Sequence, residues 1–179
     1  MTASTLLTVP STSETRLRLP DLLHATDSAA NDVLEGRYDH LLPAGGVPAD
    51  RRWFTRVHGD DDLDVWLISW VPGHATELHD HGGSLGALTL LSGSLDEFRW
   101  DRDQLRRRRI EAGDQAAFPL GWVHDVVWAP STREQLTVGP TLSVHAYSPP
   151  LTTMSYYDVT GDSTLRRKRT ELTDKPESE

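Results

Sequence analysis

Two histidines separated by one residue, His79 and His81, are the side chains in this sequence best placed to do chemistry. Side chains at positions i and i+2 of a β-strand leave the same face, so both imidazoles can point at one metal ion. Imidazole is the commonest protein ligand of catalytic transition metals. The pair therefore predicts a metal site, for which the rest of the chain must supply further ligands, a cavity and a reaction.

The composition limits the kind of protein that can hold this site. The chain has 179 residues, of which 37% are hydrophobic, and this is enough for the core of one ordinary domain. Cysteine is absent, so metal ligands must come from histidines and carboxylates. A net charge of −9 disfavours nucleic acid and anionic membranes as partners, and no apolar run reaches the length of a membrane span. The N-terminus lacks the features of a signal peptide, which predicts a cytoplasmic location.

The sequence divides into two tails and one domain. Residues 1–16 are rich in Ser and Thr and are expected to form a flexible N-terminal tail. Residues 17–160 are expected to form a single domain that begins with a helix near Pro20. Residues 161–179 are charged and poor in apolar residues, so we expect a C-terminal tail, in which Leu165–Leu172 could form a short helix.

Short segments rich in β-branched and aromatic residues fill the middle of the chain, and turn-forming residues separate most of them. Many short strands without helical periodicity between them predict an all-β sandwich or barrel. The expected strands are 53–58, 65–70, 76–81, 87–91, 94–100, 105–111, 115–119, 123–128, 136–138 and 141–147. Four consecutive arginines, 106–109, lie in one of these strands, and nearby acidic residues are expected to balance a solvent-exposed charged face.

Two motifs with matching internal spacing resemble the cupin superfamily. The first contains His79 and His81 and ends at Gly93, and the second begins at Gly113 and contains His124. The resemblance implies an all-β fold, a cupin-type antiparallel β-barrel (jelly roll) with a small N-terminal helical segment. It also implies that the three histidines point into the mouth of the barrel around a metal ion.

A glycine, Gly86, stands where most metal-binding cupins carry a glutamate ligand. Glycine has no side chain that could bind a metal, so the resemblance implies a centre of three neutral histidines. This departure, together with the neighbouring sequence, resembles the cysteine dioxygenase family. The similar blocks are 70–73, 79–84, 121–126 and 143–150. Vertebrate members carry a cysteine at the position of Gly86, cross-linked to the active-site tyrosine, whereas the bacterial branch, which this sequence resembles, carries glycine.

The last of these blocks is absent from the general cupin pattern and contains Ser143, His145 and Tyr147. These residues alternate, so they share one strand face and can enter the cavity together. The resemblance implies that Tyr147 acts as a free phenol that binds the substrate carboxylate or the reacting oxygen, with His145 and Ser143 orienting it. The alternative interpretation makes His145 and Tyr147 ordinary core residues.

A substrate carboxylate needs a cationic partner, and the resemblance places Arg56 in that position. The planar guanidinium can donate two parallel hydrogen bonds to a carboxylate. Arg51 and Arg52 are close enough in sequence that a shift in strand register would give one of them this role. Trp122 is expected to line the wall of the pocket.

The resemblance as a whole implies a monomeric, iron(II)-dependent thiol dioxygenase with L-cysteine and O₂ as its partners and cysteine sulfinic acid as its product. Iron(II) would bind the substrate thiolate and amine and leave a position for dioxygen. Two alternatives remain open. The substrate could be another small thiol acid such as 3-mercaptopropionate, or the chain could be a metal- and ligand-binding cupin without enzymatic activity.

Overall fold

The computed structural model describes residues 17–130 and 139–176. The expected N-terminal tail and the predicted strand 136–138 lie outside these ranges. The described chain contains the helix α1 (Leu19–Leu34) and a 3₁₀ turn (Asp39–Leu41). The strands are β1 (Phe54–Gly59), β2 (Asp64–Trp70), β3 (His79–Asp80), β4 (Leu85–Ser92), β5 (Ser94–Asp101), β6 (Gln104–Glu111), β7 (Gln115–Phe118), β8 (His124–Ala129), β9 (Thr141–Ser148), β10 (Thr153–Val159) and β11 (Leu165–Leu172). None of the helices in these ranges has the length and apolar character needed to cross a membrane.

The helix α1 forms near the predicted position. Its first turn is closed by the Asp21 carboxylate, which accepts a hydrogen bond from the Arg18 backbone N–H at 2.8 Å. Its apolar face buries Leu22, Ala29 and Ala30 against the outer surface of a sheet. The helix therefore covers one side of the domain and leaves the interior of the barrel to the functional residues.

Two antiparallel sheets form the barrel, with strand orders β1-β2-β9-β4-β7 and β11-β10-β3-β8-β5-β6. Strand β2 shows how both faces of the first sheet are used. Trp66, Ile68 and Trp70 point into the barrel core, whereas Val65 and Leu67 pack under α1. Because both faces are covered, every residue of β2 is buried. The all-β, cupin-type barrel with an N-terminal helix that the sequence predicts is confirmed.

The structure corrects two expectations about individual segments. The predicted strand 76–81 is reduced to β3, because Glu77 adopts a positive φ of 62° and interrupts the extended chain. The helix considered for Leu165–Leu172 is wrong, since this segment is the edge strand β11, paired with the unpredicted β10. An edge strand with charged residues on its exposed face lacks the apolar alternation by which buried strands are recognised.

The contact between α1 and the sheet can be tested by truncation. We expect Leu22→Ala to lower the free energy of unfolding by about 2–5 kcal/mol, because the Leu22 side chain is fully buried. Leu34→Ala on the same helix should change it by no more than about 0.5 kcal/mol, because Leu34 is 72% exposed. Urea unfolding followed by circular dichroism measures both, and equal losses would contradict the assignment of the buried face.

Candidate metal centre

Three buried histidines, His79, His81 and His124, come together inside the barrel. Strands β3 and β8 pair with His79 opposite His124, and His81 directly follows β3. The potential ligand nitrogens all lie within 4.8 Å of one another. The structure thus brings together the residues that the sequence predicts as metal ligands, and within the described ranges this cluster contains no carboxylate.

Hydrogen bonds on the far side of two rings decide which nitrogen of each faces the centre. His79 Nδ1 lies 2.8 Å from the Glu77 carbonyl oxygen, and His124 Nδ1 lies 3.2 Å from Glu97 Oε1. A carbonyl and a carboxylate only accept, so each Nδ1 carries the proton and each Nε2 holds a free lone pair. His124 Nε2 is buried and has no hydrogen-bond partner among the described residues. A buried, unpartnered lone pair in a three-histidine cluster fits a divalent metal ion.

Burial also fixes the charge state of the cluster. Desolvation lowers the pKa of His79 and lowers that of His81 and His124 well below the usual range. The neighbouring histidines depress the pKa of His81 further, because each charged imidazolium would repel the next. All three rings are therefore neutral at pH 7, which is the form that binds a metal.

The absence of a fourth ligand has a steric reason at Gly86. This residue lies on β4 directly opposite Tyr147 of β9. A Cβ atom at Gly86 would lie 2.9 Å from Phe118 Cδ2 and 3.3 Å from His81 Nδ1. Any side chain here would press on Phe118 and on a ligand ring, so glycine keeps the space beside His81 open.

His79 is supported from β11 through Glu77. The carbonyl of Glu77 accepts the His79 hydrogen bond, and its carboxylate is paired with Arg169 at 2.8 Å and Lys168 at 3.2 Å. These partners lower the pKa of Glu77, with the Arg169 hydrogen bond as the largest cause. The strained backbone that orients His79 is thus tied to the edge strand, a role that the charged sequence of 165–172 did not reveal.

Tyr147 lies beside the cluster, with its ring centroid 4.9 Å from that of His81, and it heads a chain of hydrogen bonds through His145 and Ser143. The Trp70 indole N–H donates to Ser143 Oγ at 2.7 Å. Ser143 Oγ lies 2.9 Å from His145 Nε2, and His145 Nδ1 lies 3.2 Å from the Tyr147 oxygen, so the tautomer of His145 sets the direction of both hydrogen bonds. In the tautomer with the proton on Nδ1, His145 donates to the Tyr147 oxygen and accepts from the Ser143 hydroxyl. The structure brings together the Ser143, His145 and Tyr147 set that the sequence predicts, and it adds Trp70.

The predicted carboxylate partner, Arg56, lies elsewhere. Its side chain is 53% exposed and forms an ion pair with the buried Asp64 at 3.4 Å. Arg52, the alternative given by a shift in register, has its guanidinium 3.9 Å from the centroid of the Trp70 ring. Its positive charge helps to lower the pKa of His145 and His79, so it is the arginine next to the site. Arg51 is exposed and lies close to Asp50.

Trp122 is also placed differently from the expectation, because it packs against the core beside the carboxylate that contacts His124 and does not line the pocket. Its indole N–H points at Glu97 Oε1 at 3.5 Å, and the Arg99 guanidinium lies 4.2 Å from its ring centroid. Glu97 itself, which contacts His124, was missed by sequence reasoning. Strand alternation could have identified it. Glu97 lies two residues after Leu95, so both side chains are on the buried face of the strand, and the Glu97 carboxylate points inward.

A small pocket adjoins the histidines. Besides the three histidines, it is lined by Trp70, Thr76, Phe118, Val126, His145, Tyr147 and Pro176. Pro176 follows β11 and is buried, so the C-terminal segment supplies part of the wall. The lining combines aromatic and apolar side chains with the polar groups of four histidines, Tyr147 and Thr76.

Comparison with known proteins agrees with this geometry. The family model of cysteine dioxygenase type I matches residues 47–160. The chain belongs to the cysteine dioxygenase type I family. The rat cysteine dioxygenase type 1 is 27% identical over 104 residues and the human one 26% identical over 107, in each case 56% of this chain and 52% of the relative.

The chain thus spans about half the length of these curated cysteine dioxygenases. Among solved structures, a cupin superfamily protein from Desulfitobacterium hafniense has a TM-score of 0.46 at 13% identity, covering 61% of this chain and 84% of that one. Family membership confirms the resemblance seen in the sequence blocks, while assignment to the bacterial branch stays a prediction.

The neutral histidines predict an acid-sensitive metal-free protein. Burial lowers the pKa of His145 to about 3, whereas an unfolded histidine titrates near 6.5. Below pH 6.5 the unfolded chain binds a proton that the folded chain does not, so stability is lost as the pH falls, by up to about 1.4 kcal/mol per pH unit for each such histidine.

Urea unfolding at pH 7.5, 6.5 and 5.5 measures this loss. His145→Asn should make the decline shallower by up to about 1.4 kcal/mol per pH unit, because one of the contributing groups is gone. A decline of the same slope in the variant, or a flat profile in the parent protein, would contradict the neutral state assigned to His145.

Proposed function

We propose that this protein is an iron(II)-dependent thiol dioxygenase that converts L-cysteine and O₂ to cysteine sulfinic acid. One observation carries the proposal. A buried cluster of three neutral histidines, in which His124 Nε2 has no hydrogen-bond partner among the described residues, lies beside Tyr147, which is hydrogen-bonded to His145. Membership of the cysteine dioxygenase type I family supports this chemistry.

The residues present fit an iron centre. His79, His81 and His124 would hold the ion on one side, and the absence of a carboxylate from the cluster leaves room for substrate. Iron(II) bound there would supply a redox centre at which a thiolate and dioxygen react together. Both oxygen atoms end on the sulfur, so RSH and O₂ balance RSO₂H without an external reductant.

Arg52 is the proposed partner of the substrate carboxylate. Its guanidinium is stacked on Trp70, which holds the plane of the donors in a fixed direction beside the site. The same Trp70 donates to Ser143 at the start of the chain that ends at Tyr147. The carboxylate donor and the phenol are therefore positioned by one common side chain, which favours a substrate that contacts both.

Tyr147 is proposed to donate its phenol proton to the substrate carboxylate or to a developing negative charge on oxygen. His145 stays neutral at pH 7 because burial lowers its pKa to about 3, and with its proton on Nδ1 it would donate to the Tyr147 oxygen and leave the phenol proton to the substrate. Phe118, Val126 and Pro176 form apolar walls that exclude water from the reacting groups.

Oxygen uptake tests the proposal directly. Protein loaded with iron(II) under anaerobic conditions is expected to consume one O₂ per cysteine and to release the sulfinate, measured with an oxygen electrode and mass spectrometry. Zinc-loaded protein should consume none, because zinc has no accessible redox change. Uptake with 3-mercaptopropionate but not with cysteine would assign the other thiol acid, and no uptake with any thiol would support a binding cupin.

The carboxylate assignment is tested by a matched pair of arginines. Arg52→Gln should lower kcat/KM for cysteine roughly 10- to 150-fold, which corresponds to the loss of about 1.5–3 kcal/mol of charge-assisted hydrogen bonding. Arg56→Gln removes an equal charge four residues away and should leave kcat/KM within about twofold, because Arg56 is paired with Asp64. The reverse order of effects would restore Arg56 as the substrate ligand.

A further inference from the structure

The run of four arginines on β6 is divided between the two faces of its sheet. Glu97 of β5 is directly opposite Arg108, and Asp96 is directly opposite Arg109. On one face, Arg107 and Arg109 both bind Asp96 at 2.8 Å. On the other face, Arg108 Nε lies 3.5 Å from Glu97 Oε2. The sequence predicts that acidic residues balance these arginines on a solvent-exposed face, and the pairs formed by Asp96 fit that prediction. The pair between Arg108 and the buried Glu97 does not.

Arg108 is the outer member of a chain of contacts that leads to the metal ligands. Its own side chain is 53% exposed, whereas that of Glu97 is 7% exposed. The second oxygen of the same carboxylate, Oε1, accepts the Nδ1–H of His124 at 3.2 Å. A single carboxylate thus binds a surface cation with one oxygen and a ligand imidazole with the other.

This contact decides the state of the His124 ring. Phe118 packs against the ring with centroids 4.2 Å apart but offers no hydrogen bond to either nitrogen. With the Nδ1–H bonded to Glu97, the proton is kept off Nε2, and the ring cannot flip without losing that bond. A negative charge at this position also makes the Nε2 lone pair a better donor to a metal.

We propose that Glu97 is the positioning residue of the metal centre, with Arg108 as its partner. The Glu97 carboxylate, held by Arg108 across the β5–β6 pair, fixes the His124 tautomer and directs Nε2 at the ion. The inference deepens the proposed function, on which it rests for the presence of a metal, but it concerns metal affinity and ring geometry rather than turnover.

Metal titration tests the inference independently of catalysis. Cobalt(II) serves as the probe, because its visible absorption reports the ligand set. Glu97→Gln removes the charge, and its amide N–H₂ can donate to Nδ1 and stabilise the wrong tautomer. We expect cobalt(II) affinity to fall about 10- to 100-fold with a changed absorption band. Arg108→Gln leaves the carboxylate in place and should lower affinity by less, about 3- to 10-fold.

The neighbouring Asp96 provides a matched control. Asp96→Asn and Arg107→Gln alter an equivalent carboxylate–arginine pair on the same two strands, with similar exposure but on the opposite face. Both should leave cobalt(II) affinity and spectrum unchanged. Equal losses from Glu97→Gln and Asp96→Asn would show a general effect on the sheet and overturn the proposal, as would unchanged affinity in Glu97→Gln.

The imidazole tautomer gives a readout that loss of stability alone would not move. In ¹⁵N-labelled metal-free protein, the two-bond nitrogen–proton pattern of His124 should show the proton on Nδ1, and Glu97→Gln should move the proton to Nε2 or give both forms. An unchanged pattern in this variant would overturn the proposal.

If the parent protein binds cobalt(II) and shows these effects but oxidises no thiol, the proposed function fails while the positioning role stands. If the parent protein oxidises cysteine but Glu97→Gln leaves cobalt(II) affinity unaltered, the positioning role fails while the proposed function stands.

Discussion

Desolvation of imidazole is the constraint on which the rest of this structure depends. The barrel interior withdraws His79, His81 and His124 from water, so each loses its charged form and retains a lone pair. A neutral buried ring still has one N–H to satisfy, and an acceptor must be present for it without adding a ligand to the centre. For His79 and His124 these acceptors are the Glu77 carbonyl and the Glu97 carboxylate.

Both residues that supply these acceptors form ion pairs with charged strands at the edges of the sheet. Glu97 is bound by Arg108 on β6, and Glu77 is bound by Arg169 on β11. Both arginines are at least one-third exposed, so they keep much of their hydration while their charge acts on a buried group. The two edge strands of the six-stranded sheet therefore serve the centre although neither contributes a ligand.

Sequence reasoning could predict the residues whose relation depends on local spacing. The histidine pair and the Ser143, His145 and Tyr147 set follow from alternation along a strand, which needs no knowledge of strand pairing. The sequence could not tell whether Arg52 or Arg56 lies beside the cluster, because their positions depend on how the chain enters β1, where the backbone of Trp53 bonds to Ser69. Contacts across strands, such as Glu97 with His124, likewise depend on register, and β11 carries charge where a predicted strand carries apolar residues.

The support that β11 gives to His79 has a thermodynamic counterpart. Coupling between two equilibria is reciprocal, so under the proposed function a strand that holds His79 in place for a metal would itself be stabilised when the metal binds. The family match ends at residue 160, before β11 begins at Leu165. The residues that support the three histidines therefore extend beyond the segment that the family model matches. The edge strand lies outside that segment, and under the proposed function the protection of its backbone amides from hydrogen exchange would report whether a metal is bound.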